Sequence, residues 1–185
     1  RGIPVRIWQR TRIEHEIRVV RHPVAIGKRL EQQRRPGLRA VDDASTHELA
    51  QLDARARIEA SVAAVYAAGG RVIALGGDHS VTFPVLRAVG PRFPGLTLLH
   101  IDAHPDLNDI FEGDRFSHAC PFARILEEVE EGRIAHLVQV GIRTMSGHQR
   151  AQADRFGVEV IDMRAWSGGA RPTLTGPLYL SLDLD

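Results

Sequence analysis

Three short stretches of this chain hold side chains that could bind cations. Asp102, His104 and Asp106 stand at i, i+2 and i+4 within Leu98–Asp106. In extended backbone, residues at that spacing face one side. They follow the apolar run Leu96–Ile101, read as a buried strand, at the end of a strand where open α/β sheets carry their sites. His79 lies in Gly76-Gly77-Asp78-His79-Ser80, whose glycines permit a tight turn. Asp183 and Asp185 repeat the i, i+2 spacing after Leu178-Tyr179-Leu180. Each stretch alone has an ordinary reading: a salt-bridged loop, a strand-to-helix turn capped by Asp78, a solvated strand end.

Together they supply two imidazoles and four carboxylates. Acidic pairs at the end of a buried strand repel each other unless a cation is present. An oxygen-dominated set without cysteine suits Mn²⁺ or Mg²⁺ better than structural zinc. Six ligands serve two ions if one or two carboxylates bridge them, and four Asp⁻ balance two divalent charges. Two such cations lower the pKa of a shared water, which is the arrangement for hydrolysis by hydroxide.

The elements that must position these residues alternate. Ile3–Trp8 and Ile17–Val20 are candidate strands, and Pro36-Gly37 marks a boundary. A helix is expected from about His47 to Ala68, with Gly69-Gly70 as its stop. Strands follow at Arg71–Leu75, Leu96–Ile101, Ala135–Val140, Val158–Ile161 and Leu178–Asp185. Helices are expected after Ser80 to about Val89, over His118 to about Glu130, and over Ser146–Phe156. This alternation predicts an α/β fold with a mostly parallel sheet and helices on both faces.

The totals are those of an ordinary globular protein and exclude other classes. The 185 residues are 43% hydrophobic and 25% charged, with a net charge of +1. That balance gives no bulk argument for nucleic acid, and no apolar run reaches the roughly 18 residues a membrane helix needs. A single cysteine, Cys120, excludes an internal disulfide framework. With no signal-peptide pattern near residue 1, the expected compartment is the cytoplasm. Charge is uneven: residues 1–40 hold eleven basic and three acidic residues, the remainder thirteen and twenty. Residues 1–40 are accordingly read as an atypical basic segment, and 41–185 as the metallohydrolase domain.

GGDHS, DAHPD and SLDLD, in that order and spacing, resemble the ureohydrolase family of arginases and agmatinases. Asn108, Phe111-Glu112-Gly113 and Ser117-His118-Ala119 strengthen the likeness, especially to the agmatinase-like branch that includes plant-type arginases. The resemblance implies a three-layer αβα fold. It implies two Mn²⁺ per chain, held by His79, Asp102, His104, Asp106, Asp183 and Asp185. Asp102 and Asp183 would bridge the ions, Asp106 would orient the hydroxide between them, and His118 would pass a proton to the leaving amine. Asn108 would contact substrate. Asp109 and Asp114 are candidates for the far end of a cationic substrate, or simple surface charges. The implied reaction is hydrolysis of a small guanidino compound to urea and an amine, with agmatine expected and L-arginine the alternative. A trimer or hexamer is the implied assembly.

Two departures accompany the resemblance. Residues 1–40 do not look like the family's usual opening strand and loop. The chain stops at Asp185, where family members continue with Asp-Pro and about a further third of the fold, including a substrate-facing glutamate. The expectations therefore include a partial domain that binds metal or a partner without turnover. A zinc deacylase is disfavoured, because such sites use one metal and fewer carboxylates. His15, His22, His47, His136 and His148 read as surface residues. His100 reads as a satisfied core residue or a support for the ligands. Cys120 reads as a passive small residue.

Overall fold

The computed structural model describes residues 17–21, 43–128 and 134–184. The expected strand at Ile3–Trp8, the boundary at Pro36-Gly37 and the ligand Asp185 lie outside the described residues. The chain divides into two compact units, Arg1–Gly77 and Asp78–Asp185.

In the first unit, β1 (Ile17–Arg21) pairs in parallel with β2 (Arg71–Leu75), and α1 (Asp43–Ala67) connects them. Among the described side chains of α1, Ile58 and Val62, one turn apart, are buried. The helix stops as expected: Gly69 takes a positive φ of 76° and the Gly70 amide closes onto the Val65 carbonyl at 2.9 Å.

The second unit opens with a 3₁₀ turn, His79–Val81, which leads into α2 (Thr82–Val89). Then come β3 (Leu96–Ile101), α3 (Pro121–Glu128), β4 (Ile134–Ile142), α4 (Gly147–Phe156), β5 (Glu159–Asp162), α5 (Met163–Ser167) and β6 (Leu178–Leu182). The sheet order is β5-β4-β3-β6, and every pairing is parallel. The chain steps outward from β3 to β4 to β5, then crosses back to lay β6 on the other side of β3. Phe122 of α3 packs on His100 on one face of β3, and Trp166 of α5 packs with Val138, Val140 and Ile161 on the other. The αβα layering follows from that reversal.

The two faces of β3 divide its side chains by the strand period of two. Leu99 and Ile101 join Val138, Val140, Ile161 and Trp166 on the α5 side. Leu98 and His100 are fully buried, and the His100 ring lies 4.3 Å from that of Phe122 on α3. α2 and α3 pack on one another. No helix among the described residues is long and apolar enough to cross a membrane.

Two element readings are corrected, and one short helix is not among those expected. The helix expected from His118 begins at Pro121. Proline suits a first helical position, because it lacks the N–H that would go unused there, and it disfavours helical geometry in the residue before it. Ser146 is the cap of α4, exchanging hydrogen bonds with Gln149, rather than its first residue. The five-residue α5, capped by Asp162, is too short to show a period.

Candidate metal centre

The switch in strand order falls between β3 and β6, the place where open parallel sheets bind ligands. Asp102 and Asp183 follow these two strands directly. Ile101 pairs with Leu182 in the ladder, and the Asp183 amide donates to the Ile101 carbonyl at 3.0 Å. The fold thus brings together carboxylates 81 positions apart in the sequence.

Strand alternation is not what gathers Asp102, His104 and Asp106. β3 ends at Ile101, and the chain bends from Asp102 onward. Asp106 has a φ of +48°, a left-handed conformation that aspartate tolerates better than most residues. The bend is laced to its neighbours. The Asp102 amide donates to the Val140 carbonyl at 3.1 Å, and the Ala103 carbonyl accepts from Arg143 at 2.8 Å. Pro105 accepts from the Gln139 side chain at 2.6 Å, and Asp106 accepts from the Phe122 amide at 3.3 Å. β4 and α3 therefore hold the loop, and Asp102 and Asp106 are both buried.

His79 is aimed at these carboxylates by the turn before α2, where the Asp78 side chain accepts from the Ser80 amide. Its Nδ1 lies 2.6 Å from Asp106 Oδ2, 3.6 Å from Asp102 Oδ2 and 4.0 Å from Asp183 Oδ2. Its Nε2 lies 2.9 Å from Ser181 Oγ. Burial alone would lower the His79 pKa; the Asp106 hydrogen bond and the charges of Asp106, Asp102 and Asp183 outweigh it and raise the pKa. One imidazole nitrogen thus points at three carboxylate groups, a place where positive charge is strongly favoured.

Asp102 is shared. Its Oδ2 faces His79 and lies 2.9 Å from His100 Nε2. Its Oδ1 accepts from the His104 amide at 2.7 Å and lies 3.4 Å from His104 Nδ1. Burial pushes the Asp102 pKa up, but the His100 and His104 hydrogen bonds and the neighbouring imidazoles bring it below its ordinary value. Burial dominates at His100 and lowers its pKa, leaving a neutral ring. His104 itself is half exposed, at 48% of its side chain.

The remaining site candidates sit on the following loop. The Asn108 amide donates to the Ala119 carbonyl at 3.0 Å, closing the loop base. The Asp109 carboxylate accepts from the buried Arg124 at 2.6 Å. Asp114 accepts from the Phe116 amide at 2.7 Å, a turn-forming role. His118 is exposed, its ring edge-on to Phe111 at 5.5 Å. Cys120 is fully buried beside Ser117, and burial raises its thiol pKa.

Sequence reasoning missed Ser181, Gln139 and Arg124. Gln139 carried a usable signal, being an amide inside the apolar run Ala135–Val140 that must find a partner. His100, expected as a core residue or a ligand support, is fully buried and hydrogen-bonds Asp102. Arg124, on the buried side of α3, gave no pattern that distinguished it from a surface arginine. Among the described residues, His79, His100, Asp102 and Asp106 offer ligand atoms close enough to share one ion. The donor set is carboxylate and imidazole, and the one thiol is turned to Ser117. This chemistry fits a hard or borderline divalent cation such as Mn²⁺.

Comparison with known proteins follows the same residues. The model of the Arginase family matches residues 13–185. The mitochondrial arginase 1 of Arabidopsis thaliana is 45% identical over 124 residues, covering 62% of this chain and 35% of that protein. The guanidinopropionase of Pseudomonas aeruginosa is 39% identical over 157 residues, covering 77% and 48%. The solved arginase from Medicago truncatula superposes with a TM-score of 0.57 at 44% identity, covering 69% of this chain and 38% of that one. The chain spans about a third to a half of the length of these relatives.

Proposed function

This chain belongs to the arginase family, and from that premise we propose that it is a metal-binding portion of a hydrolase that cleaves guanidino compounds with water. The observation that carries the proposal is the convergence of Asp106, Asp102 and Asp183 on His79 Nδ1 at the sheet's switch point. His79, Asp102, His104, Asp106, Asp183 and Asp185 would together hold a pair of manganese ions, with Asp102 and Asp183 shared between them. When bound, such a pair of cations acidifies water and supplies the nucleophile for attack on the guanidinium carbon.

The protein's own part is placement and proton handling. β3 and β6 fix Asp102 and Asp183 side by side, so the carboxylates are organised before the reaction begins. Asp106 would orient the attacking hydroxide through its carboxylate. His118, on an exposed loop, would carry a proton to the departing amine. Asn108 would contact the substrate. Asp109 would act on substrate only indirectly, because its carboxylate is bonded to Arg124.

The motifs point to agmatine, while 45% identity to a plant arginase adds weight to L-arginine. Urea release from agmatine, L-arginine and guanidinobutyrate, measured on manganese-loaded protein, chooses between them. Metal analysis should find about two manganese ions per chain. A protein that binds none would sink the proposal. A trimer or hexamer is the assembly to look for by sedimentation.

A further inference from the structure

We infer that Gln139 and His100 form a positioning pair for Asp102: Gln139 fixes His100 as the Nε2–H tautomer, and that N–H holds Asp102 Oδ2 toward a bound cation. The inference rests on the metal-site reading above. It begins with the Pro105 carbonyl, which can only accept. The Gln139 atom 2.6 Å from it must therefore be the amide nitrogen, which sets the orientation of the side chain. The same nitrogen lies 3.2 Å from His100 Nδ1. An amide nitrogen only donates, so Nδ1 is the acceptor and carries a lone pair. The ring proton must then sit on Nε2, 2.9 Å from Asp102 Oδ2.

Nothing in the surroundings competes with this order. Gln139 and His100 are opposite one another in the β3–β4 ladder, and both are 0% exposed. The Phe122 ring, 4.3 Å away at 38°, restrains the imidazole. Both nitrogens of His100 are committed, so it supports a ligand instead of acting as one, despite its closeness to His79. Asp102 is then held at both oxygens, by His100 at Oδ2 and by the His104 amide at Oδ1. Each oxygen keeps a further lone pair for a cation. Such outer hydrogen bonds fix a ligand's orientation and basicity.

The test uses the whole chain and two readouts. Long-range ¹H–¹⁵N spectra of the metal-free protein report the His100 tautomer. The expected result is a protonated Nε2 and a bare Nδ1; a protonated Nδ1 would overturn the inference. Calorimetric titration with Mn²⁺ alone measures affinity. Gln139→Met and His100→Met should each weaken it about 10- to 100-fold. His100→Gln, which can still present an N–H to Asp102, should recover most of the loss. Equal losses for His100→Met and His100→Gln would mean that the ring only fills space, and would overturn the pair. Wild-type affinity in both Met variants would overturn it while leaving the metal site standing. Absence of Mn²⁺ binding by the wild type would overturn both readings together.

Discussion

His79 Nδ1 lies 2.6 Å from Asp106 Oδ2, although the two residues are 27 positions apart. Without a cation, the carboxylates around His79 favour a proton on its imidazole. The His79 pKa is raised above 6.5, burial being outweighed by Asp106, Asp102 and Asp183. A raised folded-state pKa stabilises the protein fully below the unfolded value of about 6.5, and this contribution is lost as pH rises through the higher folded value. Metal binding runs the other way, because the ligand nitrogen must lose its proton. Metal-free protein should therefore lose thermal stability as pH rises through the His79 pKa, while Mn²⁺ affinity increases over the same range. Unfolding curves and Mn²⁺ titrations at matched pH check both slopes.

Among the described residues proposed as ligands, His104 has a half-exposed side chain, and its Nδ1 lies 3.4 Å from Asp102 Oδ1. His104→Ala should leave the unfolding temperature nearly unchanged, since exposed substitutions are usually within about 0.5 kcal/mol. It should reduce manganese from about two ions to about one and abolish urea release. Full activity in this variant would reject the ligand assignment.

Asp109 tests whether a predicted substrate contact is a structural partner. It pairs with Arg124, whose side chain is only 3% exposed. Removing its charge leaves a buried guanidinium with Glu127 as its remaining carboxylate partner, 3.0 Å away. Asp109→Asn should cost on the order of 1–3 kcal/mol of stability. Denaturant unfolding measures this. A variant of unchanged stability but raised KM would return Asp109 to the substrate site.

Cys120 should be inert in the native state. It is fully buried, and burial raises its pKa, so little thiolate forms near neutral pH. Thiol titration should find no fast-reacting group until denaturant is added. Rapid native labelling would show that the loop from Ser117 to Pro121 opens.

The strands were legible because they depend on local pattern. Arg71–Leu75 and Leu96–Ile101 match the structure to the residue, since apolar runs bounded by glycine and proline leave little freedom in their limits. The way the ligands gather was not legible. Alternation suggested that Asp102, His104 and Asp106 share one side of an extended strand. The structure instead uses a bend and a left-handed Asp106, set by bonds to Val140, Arg143 and Phe122 far along the chain. Ser181 was hidden, and Gln139 was readable only as an amide in need of some partner, for the same reason: the partners, His79 and His100, come from other elements. Pattern shows which residues face inward, but not which of them meet.

Gly141 is where the loop's shape depends on a missing side chain. It has a φ of +91°, and a Cβ built there would stand 3.2 Å from the Asp102 carbonyl oxygen. The β4–β5 ladder shifts register between Val140 and Ile142, so the extra residue turns the end of β4 toward Asp102. Gly141→Ala would meet both the conformational penalty and the contact, together on the order of 1–3 kcal/mol. The cheapest relief is to move Asp102 and the Ala103 carbonyl that receives Arg143. The variant should therefore lose Mn²⁺ affinity by more than its loss of stability accounts for. Gly157→Ala is the control. It carries a similar positive φ at the end of α4, has no neighbour near its Cβ, and lies away from the ligands in sequence. It should lose stability without a matching change in Mn²⁺ affinity. Equal metal binding in the two variants would show that Gly141 serves only the backbone.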